Sequence, residues 1–255
     1  MGPTDQLTPI LKKLRLSGVL ESLELRLRQA AEDDLSHGEF LYRLLNDEAE
    51  RREAKQVQQR LRRASFDQPK SLEEFEFAFN PKIPKSRIID LATCGFIEKK
   101  TSVILIGPAG VGKSHLAQAL GNRACRAGYD VCYSRASDIF EQLRAARADE
   151  SYDRRLSRFV SADLLIIDDL GLRPLKTHEP DDLYEIISRR YERGATVITS
   201  NRALEEWYPL FGDPLLASAA MDRLLHYSEV LTLEGESYRN PRVRRSAREE
   251  KLAGG

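Results

Sequence analysis

The chain is poor in the features that would mark a secreted, metal-clustered or membrane protein. Its three cysteines, Cys94, Cys125 and Cys132, are odd in number and lack a CxxC spacing, which excludes a disulfide framework and a thiolate zinc site. They read as small apolar core residues in a reducing compartment. The four histidines, His37, His115, His178 and His226, show no ligand spacing. Apolar runs stop at VILI (103–106) and LLII (164–167), too short to span a bilayer. The first residues, MGPTDQLTPILKKLRL, lack the apolar stretch and small-residue cleavage site of a secretory signal. A soluble cytoplasmic protein is expected. Nor is there a surplus of one charge. Lys plus Arg and Asp plus Glu are 40 each, so net charge offers no global reason to bind an acidic partner. The excess is local: residues 238–255 carry 6 basic and 2 acidic side chains.

With 255 residues the chain has room for one large core and a small appendage. Leu7, Ile10, Leu11 and Leu14, then Leu20, Leu23 and Leu27, follow helical spacing with a break at Ser17-Gly18. Ser36 and Glu39 form a capping box that opens another helix, striped by Phe40, Leu41, Leu44 and Leu45. That helix ends in RREAKQVQQRLRR, with six bases and one acid. Residues 66–86 hold three prolines and the alternating Phe75, Phe77 and Phe79, and read as an extended linker lying against the next domain. Beyond it, short apolar runs (103–106, 131–134, 164–167, 196–199) alternate with helical segments, which implies βαβ units and a parallel sheet covered by helices on both faces. The expected division is a helical N-terminal domain (1–65) that binds DNA or a partner, a linker (66–86), an α/β nucleotide domain (87–240) and a basic tail (241–255).

Gly107-Pro108-Ala109-Gly110-Val111-Gly112-Lys113-Ser114 fits G-x-x-x-x-G-K-[ST] and lies between an apolar strand and a helix. Glycines let backbone N–H groups close around a β-phosphate, and the following helix aims its positive end at the same anion. Lys113 supplies a cation to the β- and γ-oxygens, and the Ser114 hydroxyl can complete a Mg²⁺ shell. His115, next in line, reads as packing on the helix start within the ATP-binding stretch. The run LLII ends in Asp168 and Asp169: the first is placed to hold Mg²⁺ and the second to orient the attacking water. Asn201, after the strand TVITS, can reach between the acidic strand and the phosphate loop. Arg223 in MDRLLH lies far along the chain and could serve a neighbouring subunit's γ-phosphate.

GPAGVGKSHLAQALG, LLIIDDLG, TSNR, and MDRLLH followed by GESYR together resemble the IstB family, ATP-dependent helpers of insertion-sequence transposition within the AAA+ superfamily, close to the DnaC helicase loaders. The resemblance extends to LKKLRLSGVLESL near the start and to the RYE at 190–192. It implies an AAA+ P-loop core, an ATPase that self-assembles on duplex DNA, deforms it, and recruits and stimulates a transposase. By the same resemblance Asn201 is the sensor and Arg223 the finger acting on the adjacent subunit, while Arg239 in GESYR takes either a sensor-like or a DNA-facing role. Two departures from the wider superfamily stand out. The second acid is Asp169 where Glu is usual, and too little chain follows Arg239 for a C-terminal helical lid. Candidate DNA contacts are Arg51, Arg52, Lys55, Arg60, Arg62 and Arg63 in the basic helix, and Arg239, Arg242, Arg244 and Arg245 in the tail, held to phosphates without sequence readout. A middle cluster, Arg144, Arg147, Arg154, Arg155 and Arg158, reads equally as a solvated face. Two other readings remain open: a replicative helicase loader with the same fold, and a small-molecule kinase.

Overall fold

The structure, a computed structural model, describes residues 3–239. It divides into two compact units, Met1–Gln59 and Arg60–Gly255.

The first unit holds α1 (Pro3–Lys13), α2 (Ser17–Glu32) and most of α3 (His37–Ala64). Its core is small: Leu11, Val19, Leu23 and Leu44, flanked by Leu16, Leu20 and Phe40. Much of the predicted apolar stripe, including Leu7, Ile10, Leu14, Leu41 and Leu45, is exposed. The break at Ser17-Gly18 is present and has a specific cause. α2 has no side-chain cap from its own N-terminus. Glu48 of α3 supplies one, accepting the Gly18 N–H at 2.5 Å and the Val19 N–H at 3.3 Å. A Cβ on Gly18 would stand 2.8 Å from the Glu48 backbone, so only glycine permits this approach. Arg26 grips Asp47 through two bonds of 2.8 and 2.6 Å and holds its carboxyl down at about 2. The capping box also forms: Ser36 N–H donates to Glu39 at 3.1 Å and Glu39 N–H to Ser36 Oγ at 3.3 Å.

The second unit continues with α4 (Lys85–Leu91), α5 (Gly95–Glu98), β1 (Ser102–Ile106), α6 (Lys113–Ala127), β2 (Val131–Arg135), α7 (Ala136–Ala148), α8 (Tyr152–Ser161), β3 (Leu164–Leu170), α9 (Glu179–Arg190) and β4 (Ala195–Ser200). A 3₁₀ stretch (Leu204–Phe211), α10 (Pro214–His226) and β5 (Ser228–Thr232) follow. The strands pair in parallel in the order β2-β3-β4-β1-β5. Alternation along the strands assigns the two cores. Leu164 and Ile166 of β3 join Val103, Leu105 and Val197 on the side of α6, while Leu165 and Ile167 join Ile104 and Ile198 against α7 to α10. Among the described residues no helix follows β5 and none is long and apolar enough to cross a membrane. Cys94, Cys125 and Cys132 are buried and unpaired, and burial pushes the Cys125 thiol up to about 11.

One expectation is corrected. Residues 66–86 are not extended before α4: they coil through successive tight turns, with Phe75 N–H bonded to Leu72, Phe79 N–H to Glu76 and Ile83 N–H to Asn80. Proline fixes φ near the value a turn needs as readily as the value of an extended chain. Phe66, Phe75 and Phe77 do pack against the core on the α6 side.

Arg190, at the end of α9, is 2% exposed. Its guanidinium donates to the carbonyls of Phe159 (3.0 Å), Val160 (2.9 Å), Ala162 (2.7 Å), Asp163 (3.4 Å) and Ala195, and to Thr196 Oγ1 (3.1 Å). It therefore caps the C-terminus of α8 with positive charge and joins the starts of β3 and β4.

Candidate nucleotide site

The strand order brings the ends of β3, β4 and β1 side by side. Ser200 pairs in register with Ile106 on one side and Leu170 on the other, and its carbonyl accepts the Gly107 N–H at 3.2 Å. The phosphate loop, Asn201 and the acidic pair thus line the carboxyl ends of these neighbouring strands. Asn201 is exposed there, one residue past β4.

In the loop, Gly107 and Gly110 take φ of 150° and 85°, where a Cβ is disfavoured. Pro108 and Ala109 form its exposed tip and Val111 is buried beneath it. Gly112 precedes α6, whose first N–H groups, from Lys113, Ser114 and His115, lack acceptors within the helix. Lys113 is 5% exposed, and its ammonium donates to the carbonyls of Gly107 (2.7 Å) and Pro108 (2.8 Å). Burial lowers its pKa, opposed by Asp169 and Asp168. His115 is engaged elsewhere: Nε2 lies 2.9 Å from the Ser71 carbonyl and the ring meets Phe75 edge-on at 5.2 Å.

Asp168 is 2% exposed, with both oxygens held. Thr199 donates to Oδ1 at 2.5 Å and Tyr133 to Oδ2 at 2.8 Å. Asp169 sits at a bulge in β3 with φ 57°, its N–H bonded to Thr199 Oγ1 at 2.9 Å. Asp is among the residues that tolerate this left-handed backbone. Burial, then the charge of Asp168, raises the Asp169 pKa.

Two segments clasp the loop. Leu233 N–H donates to Ile106 at 2.7 Å and Tyr238 N–H to Gly110 at 3.0 Å, so residues 233–239 cross it as a strap. Asn80 holds this strap, accepting Glu236 N–H at 3.0 Å and donating to its carbonyl at 3.1 Å. Phe79 meets Tyr238 edge-on at 4.9 Å. Arg239, open between a sensor-like and a DNA-facing role, has its charge close enough to the loop to act on both Lys113 and Asp169.

Arg223 lies elsewhere in the same unit. It occupies the last turn of α10, which leads into the start of β5, whereas the phosphate loop follows the far end of parallel β1. Its guanidinium donates to Ala219 at 2.9 Å and lies 5.5 Å from the Tyr184 ring centroid. Of the candidate DNA contacts in α3, Lys55 and Arg62 are exposed and Arg60 is half-buried. Arg51 pairs with Glu21 at 2.8 Å, Arg52 with Glu48 at 2.6 Å and Arg63 with Asp130 at 3.1 Å. Such exposed pairs are weak and exchangeable. Arg242, Arg244 and Arg245 lie outside the described residues. In the middle cluster Arg147 is structural, clamped to buried Asp182 at 2.9 and 2.6 Å.

Sequence reasoning missed Tyr133, Thr199 and the strap. A hydroxyl at the end of each strand beside the acidic one was the available signal; the strap rests on backbone bonds that no residue type announces.

Comparison with known proteins identifies the family and the fold. The family described as IstB-like ATP binding protein matches residues 9–247. An insertion-sequence ATP-binding protein of Mycobacterium tuberculosis is 43% identical over 92% of this chain and 93% of its own length. The ATP-binding protein of insertion sequence IS21 from Pseudomonas aeruginosa is 37% identical over 92% of this chain and 88% of its own. Among solved structures, the DnaC helicase loader superposes with a TM-score of 0.53 at 21% identity, covering 69% of this chain and 99% of that one. AMPPCP-bound DnaA from Aquifex aeolicus gives 0.57 at 22%, covering 75% and 57%. At these identities the structures establish the AAA+ P-loop fold.

Proposed function

This chain belongs to the IstB-like ATP-binding protein family, and from that premise we propose that it is an ATPase that assembles on duplex DNA to serve insertion-sequence transposition, recruiting and stimulating the element's transposase. The observation that carries the reading is the alignment of the phosphate loop, Asn201 and the Asp168-Asp169 pair at the carboxyl ends of neighbouring strands, beside the N-terminus of α6, whose first N–H groups lack acceptors within the helix. The donor set fits Mg²⁺ as well: the Ser114 hydroxyl and the Asp168 carboxylate are hard oxygen ligands that would hold it, and its charge would offset that of the β- and γ-phosphates.

The chain's own groups then have distinct tasks. Backbone N–H groups from Gly110 to His115 receive the phosphate oxygens. Lys113 leaves the carbonyls of Gly107 and Pro108 for those oxygens, exchanging two neutral acceptors for charged ones. Asp169, whose burial makes it a stronger base than an exposed aspartate, orients water and takes its proton. Asn201 fixes the same water or the γ-phosphate. Arg239 adds a second cation from the strap in cis. Arg223, at the other end of the strands, serves the nucleotide of an adjacent copy, so hydrolysis requires self-assembly. Residues 1–65, with Lys55, Arg60 and Arg62 free of described ion pairs, and the basic tail 241–255 supply phosphate contacts to DNA.

The test is duplex binding and light scattering with ATP, ADP or no nucleotide. Large assemblies on random-sequence duplex only with ATP, weakened steeply by salt, are expected. Absence of duplex binding in every state overturns the reading and favours a helicase-loading role.

A further inference from the structure

Tyr133 stands between two carboxylates. Its hydroxyl lies 2.8 Å from Asp168 Oδ2 and 3.2 Å from Asp67 Oδ2, and a phenol has one proton to give. Asp168 faces the phosphate loop from the end of β3. Asp67 belongs to the chain that has just left α3, and this stretch is fastened to the nucleotide domain at each step. Phe66 packs on the Tyr133 ring at 5.9 Å, and Gln68 N–H donates to Gln118 of α6 at 3.1 Å. Arg135 neutralises Asp67 through a 2.9 Å bond from Nε.

The two ends of this arrangement differ in access. Asp168 is 2% exposed, whereas the Arg135 and Asp67 side chains are 52% and 38% exposed beside an open groove of about 250 Å³ that Arg158 also lines. Packing alone would be satisfied by phenylalanine at 133. The hydroxyl has a second task, because the competition for its proton depends on whether Asp67 is neutralised.

We propose that Tyr133 is a positioning residue that sets the orientation of Asp168, and that the Asp67–Arg135 pair at the end of α3 decides how fully it does so. With Arg135 on Asp67, the proton goes to Asp168 and fixes its carboxylate against Thr199. With Arg135 removed, Asp67 draws the proton away and Asp168 loosens. The proposal rests on the reading of Asp168 as the metal-side carboxylate. Outer partners of this kind commonly change metal affinity by about 10- to 100-fold.

The experiment measures Mn²⁺ bound by the full chain with a non-hydrolysable ATP analogue, read from the free-ion paramagnetic resonance signal, with thermal melting as the check on folding. Tyr133→Phe is expected to weaken Mn²⁺ by about tenfold. Arg135→Gln should weaken it in the same direction, and adding Asp67→Asn should restore it, since an amide no longer competes for the proton. In the Tyr133→Phe background neither change should matter. Additive effects of Arg135→Gln and Tyr133→Phe, or no restoration by Asp67→Asn, overturn the proposal. If the wild-type protein takes up no Mn²⁺ with the analogue, the metal-site reading itself fails.

Discussion

Replacing Arg190 by methionine tests what the buried guanidinium does. Two opposed quantities decide the outcome. Burial pushes the Arg190 pKa down from 12.5 to about 10, so keeping it charged costs the folded state about 3 kcal/mol. Against this, the carbonyls of Phe159, Val160 and Ala162, at the unpaired end of α8, and that of Ala195 take their bonds from it. A buried carbonyl left bare costs about 1–3 kcal/mol, so three or four of them cost about 6 kcal/mol. The net expectation for Arg190→Met is a loss of about 3 kcal/mol, in line with the cost of removing one partner from a buried charged cluster. Urea unfolding followed by circular dichroism should show a lower midpoint with an unchanged slope, and the melting temperature should fall by about 6–12 °C. Arg190→Lys should be nearly as damaging, because an ammonium has too few donors to span these acceptors. A loss below about 1 kcal/mol for Arg190→Met, or a fully stable lysine variant, refutes the reasoning.

Asp169→Asn keeps a residue that tolerates the left-handed backbone but removes the base; ATP should still bind, while phosphate release in the DNA-assembled state should fall by about 100-fold or more. Gly110→Ala puts a Cβ 2.0 Å from Ser237 Oγ at φ 85°, so ATP binding measured by filter retention should be lost, and Ser237→Gly should not recover it because the backbone strain remains. In the helical unit, Arg26 depresses the Asp47 pKa from 3.8 to about 2, so its stabilisation is present above about pH 4 and disappears as pH falls through about 2. Asp47→Asn should therefore lower stability by about 1–2 kcal/mol near neutral pH, less what solvent screening removes, and by only a small fraction of that at pH 2; a gap as large at pH 2 as at neutral pH would contradict the assignment.

The strands and the phosphate loop were legible because their signals are local. Alternating apolar runs declare a sheet buried on both faces, and glycines at fixed spacing declare a turn that must pass close to an anion. β5 was missed because an edge strand, half exposed, presents the mixed pattern SEVLT instead of an apolar run. The coiled path of 66–86 was missed for a different reason: proline and alternating phenylalanines suit both a turn and an extended chain, and the choice is made by the core they meet. Arg190 was legible only as part of a resemblance. All but one of its partners are carbonyls, drawn from two separate segments, and backbone acceptors carry no side-chain identity for a sequence to display.

The crossing of the phosphate loop by residues 233–239 also bears on how nucleotide-free alleles should be built. A Cβ at Gly107 would lie 2.1 Å from the Leu233 carbonyl, and one at Gly110 would strike Ser237. Substituting these glycines therefore disrupts the protein's own chain before any phosphate arrives, and the resulting allele reports a packing defect and a binding defect together. Lys113 offers the cleaner control. Shortening its side chain removes the cation and its bonds to the Gly107 and Pro108 carbonyls but leaves every bond that holds the strap, from Leu233, Tyr238 and Asn80, in place, so a phenotype from that allele reports the nucleotide without a clash in the strap.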